Sequence, residues 1–315
     1  MHTPQQPVLP WASDYHAPVL AEEVLSLLRD KRAVLDGTLG GGGHTLALLE
    51  RGAMVTALDR DPQAVAAARE RLEEHEASGC FRPVLGNYAD AHRLPAIAGA
   101  HFDGILLDLG VSSHQLDDAV RGFSFREGAP LDMRMGESDE SAADVLNGRS
   151  ERELTRLFRE YGDEPRGARL AREVVRRRAT RPFATSDDLV GAIRAVLGAR
   201  SGAPVFARLF QAVRIATNDE LALLERALPA LRDLLHPGGV LVVIAYHSGE
   251  DRIVKDALRD WSAACVCPPR HPICTCRGKP LGHSLTRKPV LASDQETARN
   301  ARARSAKLRA WQSAA

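Results

Sequence analysis

Long apolar runs are missing from this sequence of 315 residues. The longest, Val240 to Tyr246, falls far short of the ~20 residues needed to cross a bilayer, so no transmembrane helix is expected. A secretory leader is missing too: Met1 to Trp11 carries prolines and glutamines where a signal would have a basic start and an apolar stretch. The expected location is the cytoplasm. Cysteine is scarce, with five in all, which excludes a disulfide scaffold at this length. Charge of one sign does not dominate, because 42 Lys and Arg against 41 Asp and Glu leave a net charge of +1. That balance carries no global nucleic-acid signature, and any basic footprint must be local. Internal repeats and low-complexity tracts are also absent. What is present, 44% hydrophobic and 26% charged residues, excludes disordered, collagenous and fibrous chains. The length has room for two domains, or for one large domain carrying an insertion.

Short apolar runs of buried-strand length occur at Ala33 to Gly37, Ala53 to Leu58, Phe81 to Leu85, Phe102 to Asp108 and Val240 to Tyr246. Stretches of helical character follow the first three, among them Leu46 to Arg51 and Asp61 to Ala77, the latter opening on Pro62 where a first turn tolerates proline. Strand alternating with helix predicts a parallel, doubly wound sheet. The alternation stops near Val111 and resumes near Gly238. Between them the chain reads as loop and then helices: Ser141 to Asn147, Ser150 to Tyr161, Arg166 to Arg178, Ser186 to Leu197 and Phe206 to Ala216. The expected organisation is a discontinuous α/β domain, residues 1–113 and 218–315, interrupted by a helical domain, residues 114–217.

The glycine-rich turn Asp36-Gly37-Thr38-Leu39-Gly40-Gly41-Gly42-Gly43-His44-Thr45 joins the first strand to the first helix. Glycine lets backbone approach a ligand closely and adopt positive φ. Asp59 ends the second strand 19 residues after Gly40, the spacing at which a carboxylate accepts from ribose hydroxyls. Nicotinamide dinucleotides and S-adenosylmethionine both place a ribose there. The pyrophosphate pattern G-x-G-x-x-G fails from Gly40, which meets Thr45, and from Gly37, which meets Leu39. Asp36 would also sit badly beside a pyrophosphate but suits the ammonium of a methionine moiety, directly or through water. S-adenosylmethionine is therefore the favoured cofactor. In the plainer alternative the glycines are only a flexible loop and Asp59 caps the next helix.

Several longer motifs accompany this turn. They are His16-Ala17-Pro18-Val19-Leu20, the segment Phe102 to Asp117 with Asp108-Leu109-Gly110-Val111-Ser112-Ser113, Arg121-Gly122-Phe123-Ser124-Phe125, Leu131-Asp132-Met133-Arg134-Met135, Phe210 to Ile215 with Asn218-Asp219-Glu220-Leu221, and His247-Ser248-Gly249-Glu250-Asp251-Arg252. Together, from about His16 to Arg309, they resemble the bacterial small-subunit ribosomal RNA cytosine-N4 methyltransferase family, MraW or RsmH. The resemblance implies a class I, Rossmann-like methyltransferase core with a helical insertion that recognises substrate. The implied substrate is a cytidine near the decoding centre, in naked small-subunit ribosomal RNA or in the assembled subunit. It implies cofactor contacts at Gly42, Gly43, His44, Asp59, Tyr88, Asp108 and Gln115, and it leaves open a homodimer. The chain departs from the family's usual pattern at His114, where proline is common, at Tyr246 and Tyr88, where phenylalanine is common, and at Gly249, where leucine is common and glycine is expected to loosen the turn.

Methyl transfer to an exocyclic amine needs alignment and a more nucleophilic nitrogen, because the cytosine N4 lone pair is delocalised into the ring. Asp108, at the carboxyl end of the fourth strand, is the candidate acceptor for the amino protons. In the alternative reading it only binds cofactor or caps the following helix. His247 and Ser248 are either substrate contacts or, through Ser248-x-x-Asp251, a helix cap. Phe123, Phe125 and Tyr246 are candidate base stackers. Arg172, Arg176, Arg177, Arg178 and Arg181 form either a phosphate-binding cluster or a solvated helix face, and the tail from Arg287 is a candidate basic surface. An Asp132–Arg134 pair is expected to order its loop. Cys265-x-Cys267 and Cys274-x-Cys276 read as reduced structural thiols, with zinc as the alternative on a C-x-C spacing tighter than the usual knuckle. No catalytic metal is assigned. The rival activities are methylation of another amino group, on DNA or protein, and a nucleotide-binding assembly factor without turnover.

Overall fold

The apolar runs form the strands of one sheet, covered on both faces. In the computed structural model, residues 11–12, 18–112, 115–116, 118–136, 140–268, 273 and 275–315 are described; His16, Ala17, His114, His271 and Cys274 lie outside them. The sheet contains β1 (Ala33–Asp36), β2 (Met54–Asp59), β3 (Phe81–Leu85), β4 (Phe102–Asp108), β5 (Leu235–Ala245), β6 (Gly282–Ser284), β7 (Val290–Leu291) and β8 (Lys307–Ser313). Its order is β3-β2-β1-β4-β5-β8-β6, with β7 also pairing with β8. The first five strands are parallel, and β8 runs antiparallel to β5. Val34, Leu106, Val242 and Ile244 feed the core on one face. Their neighbours Leu35, Ile105, Leu107, Leu241 and Val243 feed the core on the other, as a period of two requires.

The chain folds into two compact units, the first ending at Gly110 and resuming at Leu223, the second running from Val111 to Ala222. In the first unit, the helical stretch after β2 is two helices, Pro62–Arg71 and Glu73–Ala77. Strand β8 is absent from the elements that periodicity predicts. Its residues Lys307 and Arg309 disguise it, and Asp251 resolves them: Arg309 Nε donates to Asp251 Oδ1 at 2.6 Å and Lys307 Nζ lies 3.7 Å from Oδ2. These two residues therefore belong to a paired strand, which corrects their assignment to a basic surface. Trp311, fully buried, meets the Trp261 ring edge-on at 5.3 Å.

The second unit has its own core. Helices Ala142–Gly148, Glu151–Arg156, Gly167–Arg178, Ser186–Leu197 and Ala203–Thr217, with the π-helical turn Leu157–Tyr161, bury Leu154, Phe158, Leu170, Val174, Leu189, Ile193 and Leu209 completely. Capping boxes start the first two helices, Ser141 with Asp144 and Ser150 with Glu153.

Candidate active site

Strand order decides where the site forms. The chain leaves β1 toward β2 on one side and returns to β4 on the other, which opens a crevice at the carboxyl ends of β1 and β4. Three carboxylates stand along that edge of the first unit: Asp36 ending β1, Asp59 ending β2 and Asp108 ending β4.

Asp36 organises the glycine turn. Its Oδ1 accepts from Thr38 N at 3.0 Å and its Oδ2 from Thr45 Oγ1 at 2.7 Å. Both oxygens are engaged by the loop itself, which makes Asp36 a scaffold for the turn. Burial pushes its carboxyl above the ordinary range, partly offset by those two bonds. The turn ends at Gly42, whose φ of +73° caps the helix Gly43–Glu50 without a side-chain cap. Only glycine adopts this conformation at little cost. A Cβ on Gly43 would lie 3.0 Å from Pro18 Cδ, so a side chain there would crowd the N-terminal segment. The uncapped first turn presents backbone N–H groups, a ready partner for a carboxylate.

Asp59 is not the cap of the following helix. Asp61 holds that position, accepting from Gln63 N at 3.1 Å. Asp59 instead accepts from Gly40 N at 2.8 Å and Asp61 N at 2.9 Å, which ties the second strand to the glycine turn. Burial raises its carboxyl to about 6. Tyr88 opens the short 3-10 helix Tyr88–Arg93, and its Cβ would stand 3.2 Å from a Cβ on Gly37.

Asp108 lies at the centre of a small network. Its backbone N–H donates to Thr38 Oγ1 at 2.7 Å, and its Oδ1 accepts from the Tyr246 hydroxyl at 2.7 Å. His44 Nε2, buried without a hydrogen-bond partner among the described residues, is 3.4 Å from Asp108 Oδ2. Tyr246 follows β5, the neighbour of β4, so parallel pairing brings residues 138 positions apart into contact. Burial, and next the charge of Asp108, raises the Tyr246 phenol well above its ordinary value, so it stays a donor. This bond ties the Tyr246 hydroxyl to Asp108.

The residues fit S-adenosylmethionine. Carboxylates at three neighbouring strand ends, Asp36, Asp59 and Asp108, make a site hostile to a pyrophosphate and receptive to a cationic sulfonium and ammonium. His44 adds a buried polar atom with no hydrogen-bond partner among the described residues. Gln115 belongs to the second unit, where its Oε1 accepts from Ser112 N at 3.1 Å.

Other expected features resolve differently. His247, not Ser248, caps the helix Ser248–Ser262: its Nδ1 accepts from Gly249 N at 3.1 Å, and Glu250 Oε2 accepts from Tyr246 N at 2.8 Å. Gly249 is buried in the first turn of that helix, inside the capping box formed by His247 and Glu250. The arginine cluster is largely paired within its unit. Arg176 and Arg177 both donate to Glu173, whose carboxyl they pull down to about 2. Arg178 donates to Leu146 O and Arg149 O, Arg172 lies 3.6 Å from Glu151, and Arg181 pairs with Asp188. Of the second unit's two candidate stackers, Phe123 is 6% exposed and Phe125 37%, the latter held by the rings of Phe206 and Phe210. Arg134 grips Asp132 with two bonds of 3.0 and 2.7 Å, the pairing their spacing predicts. Asn218 has a role that its sequence context does not reveal. Its Nδ2 donates to Met133 O at 2.8 Å and its Oδ1 accepts from Met135 N at 3.0 Å, which fastens that same loop.

Residues 13–314 match the model of the MraW methylase family. The chain is 67% identical to the ribosomal RNA small subunit methyltransferase H of Gemmatimonas aurantiaca, over 95% of this chain and 96% of that one. It is 49% identical to the protein of the same name from Anaeromyxobacter sp. strain K, over 94% and 96%. An rRNA methylase structure from Streptococcus thermophilus aligns over 94% of both chains with a TM-score of 0.42 and 10% identity. With a match spanning nearly all its length and relatives this similar from end to end, the chain belongs to the MraW methylase family.

Proposed function

We propose that this protein transfers a methyl group from S-adenosylmethionine to the N4 amino group of a cytidine in small-subunit ribosomal RNA, near the decoding centre. The observation that carries the reading is Asp108, held by Tyr246 beside the glycine turn at the switch point of the sheet. The names of the relatives, ribosomal RNA small subunit methyltransferase H, support the substrate class.

The bound cofactor supplies an electrophilic methyl group on a sulfonium. Gly43 and His44 would receive its methionine end through the first-turn N–H groups, Gly42, whose own N–H donates to Leu39 O at 2.8 Å, would let the turn approach it closely, Asp59 would accept from its ribose, and Tyr88 would flank its adenine. Gln115 is a further cofactor contact. Asp108 accepts a hydrogen bond from the amino group of the target cytosine, which returns lone-pair density to N4, and takes that proton as the new N–C bond forms and the methyl group's bond to sulfur breaks, leaving S-adenosylhomocysteine. The Tyr246 hydroxyl keeps the carboxylate oriented. The helical unit recognises the RNA, and Phe125, exposed yet braced by two rings, stacks on one of its bases. The enzyme works in the cytoplasm, on the small subunit or its RNA.

Purified protein incubated with isotopically methyl-labelled S-adenosylmethionine and small subunits from cells lacking the activity should place label in N4-methylcytidine, read by nucleoside mass spectrometry. Label in another nucleoside or in protein, or cofactor binding with no label at all, refutes the reading.

The Asp59 assignment has a pH signature. Ribose hydroxyls donate to the ionised carboxylate, and burial holds that carboxyl near about 6 in the ligand-free protein. Affinity for S-adenosylhomocysteine should therefore rise with pH through that value. It should be roughly tenfold weaker at about pH 5 than at about pH 7, the direction set by the proton released on binding. Calorimetry across that range checks it. A flat profile for the wild type, or an equally steep one for Asp59→Asn, removes Asp59 from the ribose.

A further inference from the structure

The segment between the helix Ser248–Ser262 and β6 is long. Ala263 to Leu281 contains no helix or strand among its described residues. Loops of this length in a compact unit are unusual unless something holds them. Apolar burial does not: Val266 is 47% and Ile273 74% exposed. Arg277 ties one point down, donating to Ala263 O at 3.0 Å and also to Asp260 O.

The thiols of Cys265, Cys267 and Cys276 converge at the middle of this loop. Their three sulfurs lie within 4.8 Å of one another, and Cys276 Sγ is 3.8 Å from Cys265 Sγ. A tetrahedral ion with metal–sulfur bonds of about 2.3 Å requires sulfurs about 3.8 Å apart. A disulfide requires about 2.0 Å. The backbone also favours sulfur as an anion. Val266 N donates to Cys276 Sγ at 3.4 Å. Amide donors aimed at sulfur stabilise thiolates, the form in which cysteine binds metal. Soft sulfur ligands in this geometry select zinc over magnesium or calcium.

We propose that Cys265, Cys267 and Cys276 are ligands of a structural zinc ion. Each thiol gives up its proton to solvent as it binds, with no change in oxidation state. The ion joins the two ends of a loop that has no core of its own, and so fixes the segment entering β6. It lies outside the crevice chemistry, since none of the three thiols belongs to the network around Asp108.

The full chain, purified without chelator, should carry about one zinc per molecule by elemental mass spectrometry. Cys265→Ser and Cys276→Ser should each lose most of it. Cobalt in place of zinc should show the near-ultraviolet thiolate charge-transfer band and intense visible bands of a tetrahedral site, weakened in either variant. Binding of S-adenosylhomocysteine, retained in both variants, excludes misfolding as the cause of the loss. Three results overturn the proposal: no metal either as purified or after zinc titration, full zinc content in the serine variants, or an intact mass showing a disulfide among these cysteines in freshly purified protein.

Discussion

Asp108→Ala should lower the rate of methyl transfer by about 10²- to 10⁴-fold, the range that positioned proton acceptors contribute. The loss should fall on kcat, because the carboxylate acts on the amino group as nitrogen becomes tetrahedral, and RNA binding should persist. Asp108→Asn retains a carbonyl oxygen for the Tyr246 hydroxyl but lacks the charge that takes the proton, so it should lie between wild type and alanine. Tyr246→Phe provides the contrast. It removes the 2.7 Å bond to Oδ1 and leaves the acceptor in place, so the expected loss is within about tenfold. Single-turnover kinetics with saturating cofactor measure all three. If Asp108→Ala stays within about tenfold of wild type in that assay, another group carries the acceptor role.

Arg214→Ala should destabilise the helical unit by about 3–5 kcal/mol, the usual consequence of removing one partner of a buried ion pair. Arg214 Nε and Nη2 donate to the two oxygens of Glu220 at 2.9 and 2.8 Å, with side chains only 9% and 10% exposed. Alanine leaves the Glu220 charge buried without its guanidinium. Pairing Arg214→Met with Glu220→Leu removes both charges and should restore most of the stability, since well-packed apolar replacements of buried pairs are often neutral. Hydrogen exchange over Ala203–Thr217 reports the local free energy without assuming that the two units unfold together. A change below about 1 kcal/mol for the single variant would show that water reaches Glu220 and compensates it. The neighbouring Asn218, bonded to Met133 and Met135, should loosen with it, and the loop that carries Asp132 and Arg134 should exchange faster.

These two sites differ in how visible they are from sequence. The glycine turn and Asp59 are legible because their geometry is local: a strand, a turn and a spacing of 19 residues fix which backbone approaches which carboxylate. Asp108 is legible as the end of an apolar strand. Arg214, Glu220 and Asn218 are visible only as part of a motif, and nothing in their spacing distinguishes a structural clamp from a binding group.

The parallel β1–β5 core can be read directly from residue order, because burial on two faces writes apolar runs of strand length. So can the cofactor class, because the glycine spacing does not suit a pyrophosphate. Other features emerge only once the chain is folded: Tyr246 holds Asp108, His247 rather than Ser248 caps its helix, Lys307 and Arg309 join a strand against Asp251, the helical arginines are paired, and three thiols meet. Each of these depends on a partner whose identity follows from strand order or loop closure. Periodicity records how deeply a residue is buried, whereas the charge or donor it meets is set by which elements the topology brings side by side.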